Sequence, residues 1–130
     1  MIDIRLKRAY DPPTEDDGQR VLVDRVWPRG VARDAARLDA WERDVAPSTA
    51  LRRWFGHDPA RWEEFRRRYR AELGQPPAST ALERLAERAR RGRLTLVYSA
   101  RDTERNQAVV LAEALHERLA GGKEHGTGSA

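Results

Sequence analysis

The sequence predicts an α/β fold, a small three-layer domain with a short, mainly parallel sheet flanked by helices. The predicted elements follow the order strand, strand, several helices, strand, helix along 130 residues, a length that suits one domain with one core. The long helical stretch between the second and third strands is typical of a crossover connection, and crossovers join parallel strands.

Three segments have the pattern of strands. Residues 2–6 alternate apolar and polar side chains, as a half-buried strand does. After an acidic loop, residues 20–25 form a second strand, which ends at the turn 27–30 because proline and glycine cannot continue a central strand. Residues 94–98 are the third and most strand-like segment. The sequence leaves open the alternative that one of the segments assigned to helix or loop is a fourth strand.

The first predicted helices lie between the second and third strands. Apolar residues at helical spacing predict a helix over residues 33–45, which Pro47 ends. Ser48 then caps a short helix. Asp58 followed by Pro59 predicts the start of the next helix, whose aromatic stripe we expect in the core.

The later helices have their own terminal signals. Thr80 and Glu83 have the spacing of a capping box, and Gly92 ends the helix that they open. Asp102 or Thr103 is expected to cap the last helix.

Composition limits the classes of function. Cysteine is absent, which excludes disulfides, thiol catalysis and thiolate metal sites. The amino terminus lacks the pattern of a signal peptide, and no segment approaches the roughly 20 apolar residues of a membrane span. We therefore expect a cytoplasmic protein that does not associate with a membrane. Residues 1–120 are predicted to form the single domain, and the polar, glycine-rich residues 121–130 a flexible tail.

The basic residues are nearly all arginine. Only Lys7 and Lys123 are lysines among the 25 basic residues, and the formal net charge is +4. The planar guanidinium binds phosphate and carboxylate groups through two parallel hydrogen bonds. A GC-rich coding sequence would also produce an arginine-rich chain, so the excess alone does not identify a ligand.

Polar side chains follow all three predicted strands. Because the carboxyl ends of parallel strands lie at one edge of a sheet, we expect these side chains to meet in a crevice there. The residues expected at this crevice are Lys7, Arg8, Tyr10, Asp24, Arg25, Trp27, Arg29, Ser99, Arg101, Asp102 and Asn106. A helix that starts near Asp102 would direct free backbone N–H groups to the same place, which favours an anion.

The first functional hypothesis is a crevice for an anionic or nucleotide-like small molecule. We expect Arg25, Arg29 and Arg101 to hold the anionic group, with help from Lys7 or Arg8. The sequence contains no glycine-rich phosphate loop, nucleotide fingerprint or cluster of metal ligands, so it predicts neither a cofactor nor a metal centre.

Catalysis in this crevice is left open by the sequence. Asp24 or Asp102 would transfer a proton or orient an arginine, and Ser99 is a candidate nucleophile. A serine nucleophile needs a base, and His57 is the histidine that lies in a suitable turn. The alternative role for His57 is packing of its loop.

Two further aromatic residues belong to the predicted ligand-binding set. Trp27 would form a wall of the crevice or stack on the ligand. Trp54 stands beside Phe55 just before the His57 turn. If these two aromatic residues were exposed instead, they would form a patch for a protein partner.

The acidic residues of the crevice also have a purely structural interpretation. Asp24 with Arg25, and Arg101 with Asp102, would then be ion pairs that tie loops together, since buried charges are usually paired.

The second functional hypothesis is a nucleic-acid-binding module without catalysis. It rests on the arginines of two predicted helices, namely Arg61, Arg66, Arg67, Arg68, Arg70, Arg84, Arg88, Arg90, Arg91 and Arg93. Glutamates stand among them, several at i,i+4 spacing, and this pattern favours a solvated surface of salt bridges. A nucleic-acid partner is therefore the less favoured expectation.

The ordered motifs of the chain resemble the YeaO-like family, a branch of the proteins called "domain of unknown function 488". The matching stretches are LKRAYDPP (6–13), RVLVDRVWPRG (20–30), APSTALRRWFGHDP (46–59), WEEFRRRY (62–69) and LVYSARD (96–102), followed by Asn106. The resemblance covers roughly residues 2–120 and implies a compact bacterial α/β domain, but no defined activity. Family members often have histidine after the Asn106 position, where this chain has Gln107. A mechanism that depends on that histidine would be lost here.

Overall fold

Four parallel strands form one sheet in the computed structural model of this protein. They are β1 (Ile4–Arg8), β2 (Gln19–Leu22), β3 (Ala40–Trp41) and β4 (Leu94–Tyr98), in the spatial order β1-β4-β2-β3. All three pairings are parallel, so the carboxyl ends of all four strands lie at one edge of the sheet. The predicted α/β class and parallel sheet are confirmed, with one strand more than the three assigned from the sequence.

The structure describes the backbone of residues 1–129 and the side chains of residues 1–121. The helices are α1 (Arg33–Ala36), α2 (Thr49–Phe55), α3 (Trp62–Leu73), α4 (Ala78–Arg91) and α5 (Gln107–Ser129), and 3₁₀ turns occupy Glu15–Asp17, Arg43–Val45 and Pro59–Arg61. The flexible tail predicted for residues 121–130 lies, apart from residue 121, outside the described side chains, and it stays a prediction.

The central strands β2 and β4 are buried on both faces of the sheet. Val21 and Leu96 belong to the main core, which the helices α2 to α5 complete on one face. Leu22 and Val97 point to the other face, where Ala36 of α1 and the chain around it cover the sheet. Burial on both faces explains why β4 is an uninterrupted run of mainly apolar residues rather than an alternating one.

An aromatic cluster fills the core between α2 and α3. The rings of Phe55 and Phe65 are stacked, with their centroids 4.3 Å apart, and Trp62 and Tyr69 each lie 5.8 Å from Phe65. Phe65 and Tyr69 are almost completely buried. The prediction that the aromatic stripe of this helix belongs to the core is confirmed.

Replacing Tyr69 with phenylalanine should lower the free energy of unfolding by about 1–2 kcal/mol. The Tyr69 hydroxyl donates a 2.6 Å hydrogen bond to the buried backbone carbonyl of Val45, and that acceptor is left without a partner in the variant. Urea denaturation measures the difference. The exposed Tyr10→Phe variant is the control and should change stability by less than about 0.5 kcal/mol.

The helix predicted over residues 33–45 is wrong. Helix α1 stops at Ala36, since Arg37 has a left-handed backbone conformation with φ 48°. The chain then joins the sheet as β3, and the N–H of Glu42 donates to the carbonyl of Leu22 at 2.8 Å. The apolar residues at helical spacing therefore lie in different elements: Leu38 in the loop after α1, Trp41 in β3 and Val45 in a 3₁₀ turn.

Two predicted caps are confirmed. The Ser48 hydroxyl accepts a hydrogen bond from the N–H of Leu51 at the start of α2. The Asp58 carboxylate accepts one from the N–H of Ala60, and the turn that it caps leads directly into α3.

The predicted capping box of α4 is wrong, because the helix begins earlier. Helix α4 starts at Ala78, which is buried, so Thr80 and Glu83 lie within its first two turns. The N–H of Ser79 already donates to a backbone carbonyl of the preceding loop. Gly92 ends the helix as predicted.

A buried cluster of charges joins β1, β2 and the loop between them. The Asp17 carboxylate accepts hydrogen bonds from Lys7 at 3.0 Å, from Arg20 at 2.7 Å and from Thr14. Asp17 and Arg20 are both under 10% exposed. Burial by itself would raise the pKa of Asp17, but the hydrogen bonds from Thr14, Lys7 and Arg20 outweigh it and hold the pKa far below its usual range.

Candidate functional site

A cavity of about 620 Å³ opens at the carboxyl edge of the sheet. The loops that follow β1, β2 and β4 form its walls together with α2 and the start of α5. The predicted residues that line it are Tyr10, Asp24, Arg25, Trp27, Arg29, His57, Ser99, Arg101, Asp102 and Asn106. Parallel strands thus bring side chains that are far apart in the chain to one place, as we expected from the order of the elements.

Three predicted ligand-binding residues do not line the cavity. Lys7 points to the opposite face of the sheet, where it pairs with Asp17. Arg8 donates to the carbonyls of Ser99 and Ala100 and thereby holds the loop that follows β4. Trp54 is partly buried against the hydrophobic core, and the guanidinium groups of Arg61 and Arg68 lie over its ring.

The floor of the cavity is a hydrogen-bonded group of three side chains. The Asp24 carboxylate accepts hydrogen bonds from the Ser99 hydroxyl at 2.5 Å and from the Ser99 N–H at 3.1 Å. The side-chain amide of Gln107, the first residue of α5, donates to the other oxygen of Asp24. Strands β2 and β4 are direct neighbours, and this is why the residues that follow them meet.

Burial raises the pKa of Asp24 above its usual value. The hydrogen bonds from Ser99 and Gln107 act in the opposite direction, as does the positive charge of Arg52, but they only partly offset the loss of solvation. Asp24 is 7% exposed and forms no ion pair with a described residue. A carboxylate of this kind is a rare feature in a protein core.

The structural ion pairs considered for the crevice are not formed. Arg25 donates instead to the backbone carbonyls of Ala46 and Pro47, which anchors the loop after β2 to the start of α2. Asp102 pairs with Arg105 and not with Arg101.

Asp102 and Asn106 shape the loop before α5. The Asp102 carboxylate accepts from the N–H groups of Glu104 and Arg105, and these backbone hydrogen bonds lower its pKa. Helix α5 begins only at Gln107, and the buried Asn106 side chain accepts from a backbone N–H in its first turn. The prediction that Asp102 or Thr103 caps the last helix is therefore wrong, because Asp102 closes a separate turn.

Aromatic side chains form one wall of the cavity. Trp27 packs edge-on against Trp41 at 5.4 Å, and its indole N–H donates to the carbonyl of Val31 at 2.7 Å. The hydroxyl of Tyr10 donates to the carbonyl of Arg29. These contacts fix the two rings before any ligand arrives.

Three arginines that line the cavity have no partner among the described side chains. Among the described side chains, Arg29, Arg52 and Arg101 make no hydrogen bond, no ion pair and no contact with an aromatic face, and all three are exposed. The neighbouring Arg53 is also exposed and without a partner among the described side chains, but it does not line the cavity. Unpaired guanidinium groups gathered around a concave surface are available to an anion.

Sequence reasoning missed several cavity residues. Arg52 and Phe55 come from α2, Phe65 from α3 and Gln107 from α5. Only Gln107 carried a signal, because it replaces the histidine that is frequent in the resembling family. No pattern in the sequence pointed to Arg52, Phe55 or Phe65, since helical spacing shows which face of a helix is apolar but not which end of the helix reaches the edge of the sheet.

The sequence matches, over residues 3–130, the family described as the "Inactive DUF488-N3 subclade". The chain belongs to this subclade of the DUF488 proteins. It is 44% identical to "Uncharacterized protein YeaO" of Escherichia coli K12, over 88% of this chain and 97% of that protein. It is likewise 44% identical to "Uncharacterized protein Mb3100c" of Mycobacterium bovis and "Uncharacterized protein Rv3073c" of Mycobacterium tuberculosis, over 88% of this chain and 95% of each relative. No solved structure is significantly similar.

Gln107 donates its side-chain amide to Asp24 and offers no group that takes up a proton near neutral pH. His57, the other candidate base, is exposed, and its ring centroid lies 6.1 Å from that of Phe55. Among the residues whose side chains are described, no histidine forms a hydrogen bond with Ser99 or Asp24.

The arginines of α3 and α4 are mostly paired. Their partners are glutamates, in the pairs Arg66–Glu113, Arg67–Glu64, Arg68–Glu64, Arg70–Glu117, Arg84–Glu42 and Arg90–Glu87. Such pairing supports the interpretation of these helices as a solvated surface of salt bridges and gives no support to a phosphate-binding face.

Two further properties of the described residues bear on function. They contain no group of three or more His, Cys, Asp or Glu side chains arranged to hold a metal ion. None of the described helices combines the length and the apolar character that crossing a membrane requires.

Proposed function

We propose that this DUF488 protein binds a small phosphorylated molecule of nucleotide-like size in the cavity at the carboxyl edge of its sheet. The observation that carries the proposal is the set of unpaired arginines, Arg29, Arg52 and Arg101, around one concave surface. By contrast, most arginines of α3 and α4 form ion pairs with glutamates.

The size and walls of the cavity support this class of ligand. A volume of about 620 Å³ lies in the range of small-molecule sites and far exceeds the space that a free phosphate ion would fill. Tyr10, Trp27 and Phe55 contribute aromatic carbon atoms to the lining of the cavity. A ligand with a phosphate group and a ring would use both features.

We propose binding without turnover. Ser99, the candidate nucleophile, donates its hydroxyl to a carboxylate and to no described histidine. Asp24 is engaged by hydrogen-bond donors, and Asp102 is engaged in its own turn. The description of the subclade as inactive points in the same direction.

Binding of adenosine 5′-monophosphate, measured by isothermal titration calorimetry, tests the proposal. Arg52→Ala and Arg101→Ala should each weaken binding about tenfold or more, because each removes a charge-assisted hydrogen bond to phosphate. Arg53→Ala is the matched control, since it removes the same charge from the adjacent position of α2 outside the cavity.

Unchanged binding in the Arg52 and Arg101 variants would contradict the proposal, and so would an equal loss in Arg53→Ala, which would indicate a general effect of net charge. The measurement should be repeated at two salt concentrations, because long-range attraction between exposed charges is screened by salt.

A further inference from the structure

We infer that the ligand of this cavity is a hydroxylated phosphate ester, oriented with its phosphate at the arginines of the rim and a hydroxyl group on Asp24. This inference rests on the proposed function and adds to it the chemical class of the ligand and the direction in which it lies.

Asp24 can accept one more hydrogen bond than the described residues donate to it. A carboxylate has about four lone-pair positions. The described residues fill three of them, through the N–H and hydroxyl of Ser99 and the amide of Gln107. Because Asp24 also lines the cavity, its remaining acceptor position is available to a donor on the ligand.

Gln107 restricts which chemical group of the ligand can donate a hydrogen bond to Asp24. Its amide nitrogen has two hydrogens, and Asp24 is the one described residue that it contacts by a hydrogen bond. The floor therefore offers an acceptor on Asp24 beside a donor on Gln107. A hydroxyl group donates and accepts at once and satisfies both, whereas an ammonium group has no acceptor and would be repelled by the arginines of the cavity.

The charges fix the orientation of the ligand. Asp24 is buried at the floor, and Arg29, Arg52 and Arg101 are exposed at the rim. A phosphate group at the floor would meet the negative charge of Asp24 in a poorly solvated environment, which is strongly unfavourable. The phosphate thus belongs at the rim and the uncharged, hydroxylated part of the molecule at the floor.

Two phosphate esters that differ only in their hydroxyl groups test this inference. Ribose 5-phosphate and tetrahydrofurfuryl phosphate share the five-membered ring and the phosphate, but the second lacks all ring hydroxyls. Calorimetric titration of the wild-type protein should show ribose 5-phosphate binding about tenfold more tightly or better, as one hydrogen bond to a charged acceptor provides.

Asp24→Asn should reduce the ratio of the two affinities, ribose 5-phosphate over tetrahydrofurfuryl phosphate, at least threefold. The variant replaces the charged acceptor by a neutral amide, and it removes the charge that repels phosphate, so the ester without hydroxyls should bind it at least as well as it binds the wild type. Glu87→Gln is the control, since it removes one negative charge from the exposed surface of α4. It should leave the ratio unchanged. Circular dichroism verifies the fold of both variants.

The outcomes separate this inference from the proposed function. Equal affinity of the two esters for the wild type, with both weakened by Arg101→Ala, would overturn the role of Asp24 and leave the phosphate site standing. A preference for ribose 5-phosphate that persists in Asp24→Asn would also overturn it. Absence of binding by both esters would overturn the inference together with the proposed function.

Discussion

Replacing Asp17 with alanine should lower the free energy of unfolding by about 3–5 kcal/mol, the usual result of removing one partner from a buried ion cluster. The Arg20 guanidinium is 3% exposed, and one of its terminal nitrogens already lacks a partner among the described residues. Without Asp17, the charge of Arg20 would stay buried beside Lys7 with no carboxylate to neutralise either. Urea denaturation at neutral pH measures the loss.

The contribution of Asp17 should also depend on pH in a defined direction. Its pKa in the folded protein lies well below the ordinary value of 3.8, so the carboxylate stabilises the fold at all pH values above about 4. That stability is lost as the pH falls through the lowered pKa of the folded state. The difference between the wild type and Asp17→Ala should therefore narrow steadily in acid below pH 4.

The neighbouring Asp16 provides the matched control for this experiment. Its side chain is exposed and makes no hydrogen bond with a described residue, so Asp16→Ala should change stability by less than about 0.5 kcal/mol. A loss below about 1 kcal/mol in Asp17→Ala would mean that Lys7 and Arg20 find other partners and that the cluster is not what holds the loop to the sheet.

Replacing Phe65 with alanine should lower the free energy of unfolding by about 3–5 kcal/mol. The ring is 2% exposed and stacks against Phe55, so its removal leaves a hole between α2 and α3. Phe65 also lines the cavity, and the same substitution would extend the cavity into the core. Guanidinium denaturation followed by tryptophan fluorescence measures the change, since Trp62 lies 5.8 Å away.

Phe65→Leu separates the loss of volume from the loss of apolar character. Leucine fills much of the same space, so this variant should cost less than about 1.5 kcal/mol. If Phe65→Ala and Phe65→Leu lowered the free energy of unfolding equally, the stacking of Phe65 on Phe55 would contribute more to stability than the volume that the ring fills. That result would contradict the prediction.

The sequence revealed the edge of the sheet but not the full lining of the cavity. The order of strands and crossover was enough to place residues such as Asp24 and Ser99 together, because parallel strands must end at a common edge. Lys7 was predicted at the crevice but does not line the cavity. Side chains along β1 alternate between the two faces of the sheet, and Lys7 lies on the face where Asp17, in the loop before β2, accepts its hydrogen bond.

Other differences come from contacts that no local pattern encodes. Residues 33–45 have helical spacing, but backbone pairing with β2 and the left-handed conformation of Arg37 decide their structure. Arg52 lines the cavity from α2, a helix that is held in place by a long-range contact, the stacking of Phe55 on Phe65 of α3. Tertiary packing of this kind overrides propensity and is invisible in a single sequence.

The position of β4 has a consequence for how the chain folds. This strand is the last in the sequence, yet it lies inside the sheet between β1 and β2. Until Leu94–Tyr98 has been synthesised, the strand pairing available to the nascent chain is the two-residue contact between β2 and β3. Pairings between residues 90 positions apart, as for β1 and β4, or 75 apart, as for β2 and β4, make for slow folding, with apolar strands exposed in the interval. A fragment that ends before Leu94 lacks the strand on which the sheet is assembled.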